Sequence, residues 1–246
     1  MDGNARQQAY DRGHTIFSPD GRLYQVEYAR QAVERGSPSV GIRTGEGVVL
    51  AARKRLRSPL LEAGSVEKIH AVDDHVAVAS AGHAADARRL VDVARRAGQR
   101  HRLRYGEPIG VEPLATAVAD HVQEHTQSGG ARPYGAALLV AGVDPAPDGD
   151  ARDAAGPFEV DPSGAPYGWR ATAIGDGAGD LRGLLEDRVG DDPPAALDEG
   201  VDLALEALAS TAAEPLAPAD VDVRVLADDG GTTAMADDDL AARLAG

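Results

Sequence analysis

Hydrophobic and polar positions follow two different periods near the start of the chain. From Leu23 onward, apolar residues recur at helical spacing until Gly36, a residue suited to a left-handed helix cap. A turn-forming cluster, residues 17–21, precedes this segment and supplies residues that favour a helix start. Directly after Gly36, residues 39–44 and 48–53 alternate like strands around a glycine-containing turn. The pattern therefore predicts a capped helix in front of a β-hairpin.

The rest of the chain consists of groups of strands and pairs of helices. The predicted strands cover residues 68–72, 75–81, 136–143, 158–161, 169–174 and 221–227, and the predicted helices cover residues 84–103, 113–127, 180–188, 194–211 and 237–244. This order is typical of an α+β fold with helices on the outer faces of sheets, and it allows a four-layer αββα sandwich. No Pro/Gly/Ser-rich linker separates two patterned halves, so we expect the 246 residues to form one structural domain.

The chain is strongly acidic, with a net charge of −15 and a pI of about 4.8. Because phosphates would be repelled, this charge argues against nucleic acid as the main partner. Nearly all cationic residues are arginines, and the only lysines are Lys54 and Lys68. Together with small apolar residues, this composition predicts adaptation to high salt, where the Debye length falls to about 3 Å near 1 M and self-repulsion is screened.

The sequence contains no cysteine, which excludes disulfides, thiolate metal sites and a cysteine nucleophile. No apolar run approaches the roughly 18 residues that span a bilayer, and the N-terminus lacks a signal-peptide pattern. We therefore expect a cytoplasmic protein that does not enter a membrane.

A possible metal motif lies on the second long helix of the prediction. His121, Glu124 and His125 form an H-x-x-E-H string, which inverzincin metalloproteases use to hold zinc. However, the two histidines share a helix face with Leu114 and Val118, so they also continue a packing stripe. Short motifs match often by accident, and packing is the favoured interpretation. A zinc metalloprotease remains the less favoured alternative.

The first long helix is unusually basic. Its seven arginines are Arg88, Arg89, Arg95, Arg96, Arg100, Arg102 and Arg104. No aromatic residues interleave with them to stack on bases, so a nucleic-acid face is disfavoured. The default is a solvated face, and in an acidic chain such a helix can also dock an acidic partner.

Residues 10–36, YDRGHTIFSPDGRLYQVEYARQAVERG, closely resemble the N-terminal signature of proteasome α-type subunits. The resemblance continues through SVEKI (residues 65–69), DDHVAVASAG (73–82), ADARRLVDVAR (85–95), YGEPI (105–109), GGARPYGAALLVAGVD (129–144) and ATAIGDG (171–177). It implies an αββα sandwich in which residues 1–36 form a gate segment with its helix and residues 37–246 form the sandwich.

The same resemblance implies a function without catalysis by this chain and without a cofactor or metal. Such α subunits form a heptameric outer ring, β subunits supply the threonine peptidase, and the α N-termini gate the entry of unfolded protein substrates. An activating AAA ATPase docks its C-terminal carboxylate in a pocket between α subunits. For the basic helix, the resemblance favours contact with β subunits.

Individual residues match the family's functional positions. Tyr10, Asp11, Pro19 and Tyr28 match the gate cluster that holds the open conformation. The activator pocket is matched by Gly36 and Lys68, and His83 stands where other archaeal members carry Leu. A compact ammonium suits a carboxylate ligand because it offers several donors.

The Gly36–Ser37 bond raises a second alternative. Catalytic β-type subunits cleave a Gly–Thr bond at this place and use the freed Thr as nucleophile, with a lysine where Lys68 stands. The supporting Asp expected in the strand VVLAAR is replaced by Arg53, and the preceding residues match the α-type signature. An ordinary turn hydroxyl is therefore the favoured interpretation of Ser37, and an autoprocessed N-terminal-nucleophile hydrolase is the alternative.

Overall fold

Two antiparallel sheets of five strands lie face to face in the computed structural model, which describes residues 17–18, 21–127, 131–144, 154–228 and 231–245. The first sheet has the order β10-β9-β2-β1-β8. Its strands are β1 (Ser39–Thr44), β2 (Gly47–Arg53), β8 (Ala171–Ile174), β9 (Val221–Ala227) and β10 (Thr232–Ala234). The second sheet has the order β3-β4-β5-β6-β7. Its strands are β3 (Ile69–Asp73), β4 (Val76–Gly82), β5 (Ala136–Val143), β6 (Ala154–Val160) and β7 (Pro166–Gly168).

Helices cover both outer faces and one end of this pair of sheets. They are α1 (Tyr24–Glu34), α2 (Ala84–Tyr105), α3 (Val111–Gln127), α4 (Ala178–Val189), α5 (Leu197–Ser210) and α6 (Asp237–Leu244). Apolar residues of α2 and α3 pack on the second sheet, and those of α4, α5 and α6 pack on the first. A third cluster fills the space between the sheets. The predicted four-layer αββα sandwich is therefore confirmed.

The core is built mainly from aliphatic residues, as a chain with 4% aromatic residues requires, with Tyr134 as a buried aromatic exception. Strand β5 is buried along its whole length because helices cover one face and the other sheet covers the opposite face. Leu138 and Val140 belong to the outer cluster, whereas Leu139 and Ala141 belong to the cluster between the sheets. This alternation explains why the strand shows a continuous apolar run rather than a polar face.

Pro19 and Asp20 of the predicted turn lie outside the described residues, α1 starts after Leu23 without a side-chain cap, and Gly36 has a different role from the predicted one. The Ser18 hydroxyl accepts a hydrogen bond from the Arg22 amide at 3.0 Å, and Val26, Ala29 and Val33 form the buried face of the helix. Gly36 was predicted to adopt the left-handed cap conformation, and it is not among the glycines with positive φ. Glycine is required there instead because the backbone of β4 lies too close for a side chain.

One strand prediction was only partly right. The strand predicted over residues 169–174 forms over Ala171–Ile174 and joins β1 in the first sheet, whereas the short strand Pro166–Gly168, which was not predicted, joins β6 in the second. The chain therefore changes sheets at Trp169, whose amide donates to the carbonyl of Pro157. Strand β10 was not predicted at all.

Among the helices that the structure describes, none is both long and apolar enough to cross a bilayer.

Candidate functional site

The three residues predicted for the activator pocket come together at one end of the sandwich. The Lys68 ammonium donates to the carbonyl oxygen of Ser37 at 3.3 Å, which places it beside Gly36. Gly36 in turn packs against Gly82, the residue that precedes His83. The end of α1, the start of β3 and the end of β4 thus meet at this point.

Close backbone contacts hold these segments together. A Cβ atom on Gly36 would lie 2.1 Å from the Gly82 nitrogen, and one on Gly82 would lie 2.3 Å from the Gly135 carbonyl oxygen. The His83 amide donates to that same Gly135 oxygen at 2.8 Å. Gly36 and Gly82 therefore lie where a side chain would collide with the backbone of the neighbouring segment.

Lys68 is held at both its backbone and its side chain. Its carbonyl accepts from the Ser80 amide at 3.1 Å, and its own amide donates to Asp222 Oδ2 at 3.2 Å. The side chain is half-buried. Burial lowers the pKa of Lys68 to about 8, against the opposing effect of the Asp222 carboxylate. The ammonium offers three donors, of which Ser37 takes one, so it can bind an added carboxylate.

His83 lies at the rim of this site, at the residue before α2. Its side chain is 59% exposed, and Nδ1 lies 3.7 Å from Asp86 Oδ1. Asp86 is buried and accepts two hydrogen bonds from Arg132, at 2.6 and 2.9 Å, and one from the Gly135 amide at 2.9 Å. Burial alone would raise the pKa of Asp86, but the hydrogen bonds of Arg132 and Gly135 outweigh burial and lower it. This ion pair fixes the backbone on which His83 sits.

Of the predicted gate residues, the structure describes Tyr28, and Tyr10, Asp11 and Pro19 lie outside the described residues. Tyr28 is exposed on α1, on the side away from the buried Val26, Ala29 and Val33. Helix α1 is anchored by Arg30, whose guanidinium binds the Asp161 carboxylate at 2.7 and 2.8 Å. The exposed tyrosine is thus carried on a firmly held helix.

The surroundings of Ser37 contain one element of the β-type catalytic site, the Lys68 ammonium. The Arg53 guanidinium, which stands in place of the expected carboxylate, donates to the Thr211 carbonyl at 3.1 Å and lies 3.9 Å from Asp176. The Asp176 amide donates to the Gly36 carbonyl at 2.7 Å. Arg53 therefore puts a second cation where the β-type site has a carboxylate. A proton relay at Ser37 would need a negative charge at this position.

The two histidines of the H-x-x-E-H string pack against Tyr134. His121 Nε2 lies 3.1 Å from the Tyr134 hydroxyl, and the His125 ring stacks on the Tyr134 ring with centroids 4.4 Å apart. Tyr134 is only 2% exposed, so the two histidines form the cover of a core aromatic residue. Burial and the neighbouring His125 lower the pKa of His121. Within the described part of the chain, no group of three or more His, Asp or Glu residues is arranged to hold a metal ion.

The basic helix α2 presents a mixed surface at its C-terminal end. Arg95 and Arg102 are tied to the second sheet, through the Ala71 carbonyl and the Asp73 carboxylate respectively. Leu103 is 88% exposed, and Tyr105 is exposed with the Arg104 guanidinium 5.9 Å from its ring centroid. An exposed leucine and tyrosine among arginines is typical of a protein interface.

Sequence reasoning missed four residues that support the site. Asp222 belongs to β9, 154 positions after Lys68, and no local pattern connects the two. Asp86 and Arg132 are likewise joined across 46 positions. Gly82 carried a weak signal, because a glycine that ends a core strand often marks a close backbone approach.

Most of the chain is similar to proteasome subunits. Residues 33–226 match the family model described as Proteasome subunit, and residues 10–32 match the model for the A-type N-terminal signature of proteasome subunits. The chain is 61% identical over 223 residues to Proteasome subunit alpha 1 of Haloferax volcanii, over 91% of this chain and 85% of the relative. It is 58% identical over 229 residues to Proteasome subunit alpha of Haloquadratum walsbyi, covering 93% and 88%. It is 53% identical over 246 residues to Proteasome subunit alpha of Natronomonas pharaonis, covering 99% and 93%.

Proposed function

This chain belongs to the proteasome α-subunit family, and from that premise we propose that it forms the heptameric outer ring of a 20S core particle and docks an activating AAA ATPase. The observation that carries the docking proposal is the contact between Lys68 and the Ser37 carbonyl beside Gly36. It puts a cation with spare donors at the meeting point of three backbone segments. A C-terminal carboxylate is the ligand that such an ammonium suits best.

In this proposal the chain is not catalytic, and the β subunits supply the threonine peptidase. Its N-terminal segment gates the entry of unfolded proteins, with Tyr28 as the gate residue on α1. The exposed, basic end of α2 faces the β ring, where Leu103 and Tyr105 would become buried. The particle works in the cytoplasm. Its relatives come from haloarchaea, which agrees with the acidic composition predicted to suit high salt.

The experiment that tests docking uses the two lysines of the chain as a matched pair. Lys68→Ala should abolish ATPase-stimulated degradation of an unfolded protein, while seven-membered rings and basal peptide cleavage persist. Lys54→Ala removes the other lysine and should leave stimulation unchanged. Lys68→Arg should rescue only partly, because a planar fork does not replace a compact ammonium in a shaped site. Full stimulation of Lys68→Ala would show that the docking site lies elsewhere.

The autoprocessed hydrolase is retained as a second candidate because Lys68 does lie beside Ser37. Intact mass of the purified chain separates the two functions. We expect a chain that is not cut before Ser37, because Arg53 replaces the carboxylate that autoprocessing needs. A new N-terminus at Ser37 would support the hydrolase and overturn the assignment of Gly36 to a docking pocket.

A further inference from the structure

We propose that Asp222 is the positioning residue of the docking site: it fixes Lys68 from the opposite sheet and keeps its ammonium charged for a carboxylate ligand. This inference rests on the proposed docking function. It concerns a residue of β9 that belongs to neither the N-terminal signature nor the segments that form the pocket.

The geometry shows how Asp222 holds the lysine. One carboxylate oxygen, Oδ2, accepts from two successive amides, that of Lys68 at 3.2 Å and that of Ile69 at 3.3 Å. Asp222 lies in the first sheet, opposite Ala52 of β2, whereas Ile69 begins the edge strand of the second sheet. The carboxylate therefore bridges the two sheets at the point where the lysine side chain starts. Hydrogen bonds to a charged acceptor are stronger than neutral ones, which suits such a bridge.

Asp222 also acts on the charge of Lys68, by opposing the effect of burial. Burial favours the neutral amine, and the Asp222 carboxylate is the charge that opposes burial. Three other charged groups of neighbouring segments have partners of their own, although the Asp222 carboxylate also acts on His70. Glu67 and His70 pair with each other at 3.1 Å, and the Arg53 guanidinium is held by Thr211 and Asp176.

The consequence for docking can be put as a fold-change. With a midpoint near 8, Lys68 is mostly charged at neutral pH and about half charged at pH 8. Loss of a nearby opposite charge should lower this midpoint by about one pH unit. At pH 8 the charged fraction, and with it the affinity for a carboxylate, would then fall about fivefold.

The first arm of the test measures the lysine directly in the assembled particle. Trace labelling with acetic anhydride over a range of pH, followed by peptide mass spectrometry, gives the titration midpoint of each lysine. Because the chain has only Lys54 and Lys68, the two peptides are easily separated. Asp222→Asn keeps an oxygen acceptor for the two amides and removes the charge. We expect its Lys68 midpoint to fall and its Lys54 midpoint to stay.

Two control variants separate charge from structure. Asp228→Asn removes an exposed carboxylate just past the other end of the same strand and should leave the Lys68 midpoint unchanged. Asp222→Glu keeps the charge and should restore most of the wild-type midpoint. An unchanged Lys68 midpoint in Asp222→Asn would overturn the proposal.

The second arm measures docking as the ATP-dependent stimulation of casein degradation by the activating ATPase. It is measured at fixed salt between pH 6.5 and pH 8.5, a range that brackets the Lys68 midpoint near 8. Stimulation of Asp222→Asn should decline at lower pH than stimulation of the wild type. Lys68→Arg has a cation that does not titrate in this range, so its profile reports pH effects on the ATPase alone. Identical wild-type and Asp222→Asn profiles would refute the inference. If Lys68→Ala is stimulated normally while the labelling midpoint still shifts in Asp222→Asn, the docking function fails and the control of Lys68 by Asp222 stands.

Discussion

Gly36→Ala is the substitution for which the structure gives the sharpest expectation. The new Cβ would lie 2.1 Å from the Gly82 nitrogen and 2.6 Å from the Gly82 Cα. Both are backbone atoms of a core strand, so no side-chain rotation relieves the contact. To reach an ordinary separation, the end of α1 and the end of β4 must move apart by more than about 1 Å, in a region packed to crystal-like density.

The magnitude follows from the kind of strain. Overpacking of a rigid site costs about 1 to 3 kcal/mol, and the backbone contact puts Gly36→Ala at the upper end. For a chain of this size, each kcal/mol lowers Tm by about 2 to 4 °C, so we expect a loss of about 6 to 12 °C. The φ angle of Gly36 lies outside the left-handed region, so conformational strain does not contribute.

Gly183→Ala is the matched control. Gly183 lies within α4, no atom would come within 4 Å of its Cβ, and its φ is not positive. Alanine is favoured over glycine inside a helix by roughly 1 kcal/mol, so this variant should gain stability. The assay is thermal unfolding by circular dichroism at fixed salt and fixed protein concentration. If Gly36→Ala matches the wild type or Gly183→Ala, the close packing of α1 on β4 is wrong.

Two further predictions concern the gate and the rim of the pocket. Removing residues 1–12 should accelerate degradation of an unfolded protein much more than cleavage of short peptides; equal effects on both substrates, measured with intact rings, would argue against gating. His83→Leu should strengthen ATPase docking, because it adds apolar surface at an exposed rim position next to Gly82. Titration of stimulation against ATPase concentration measures the affinity, and a weakened or unchanged affinity would contradict the prediction.

Elements with strong local patterns were predicted with their bounds. Strands β5 and β9 and helix α6 begin and end at the predicted residues, because a continuous apolar run, an alternating run and a short amphipathic segment each specify one kind of burial. The run 169–174 was predicted two residues too long because strand periodicity does not reveal where the chain crosses from one sheet to the other. Gly36 shows the same limit, because a helix cap and a close backbone contact both require glycine.

The site was predicted only in part for a related reason. Lys68 was identified through the resemblance of its SVEKI segment to proteasome subunits, and His83 through its place after DDHVAVASAG. Their supports lie far away along the chain, Asp222 in another sheet and Arg132 beyond α3. No local pattern encodes a contact between residues so distant in sequence. Such supports are found by tracing the hydrogen bonds of a site outward.

The energetics of Lys68 indicate that its charged form does not stabilise the fold, which agrees with the binding role proposed above. Its pKa falls from 10.5 to about 8 in the folded chain, so folding disfavours the charged form by up to about 3 kcal/mol. The folded state binds the proton more weakly than the unfolded state, so the contribution of this group to stability increases as pH rises from about 8 to 10.5. At neutral pH the chain carries the cost of a half-buried ammonium whose charge Asp222 preserves. The chain uses arginine at almost every other cationic position, and in the proposed docking function the lysine at position 68 supplies a compact donor of several hydrogen bonds.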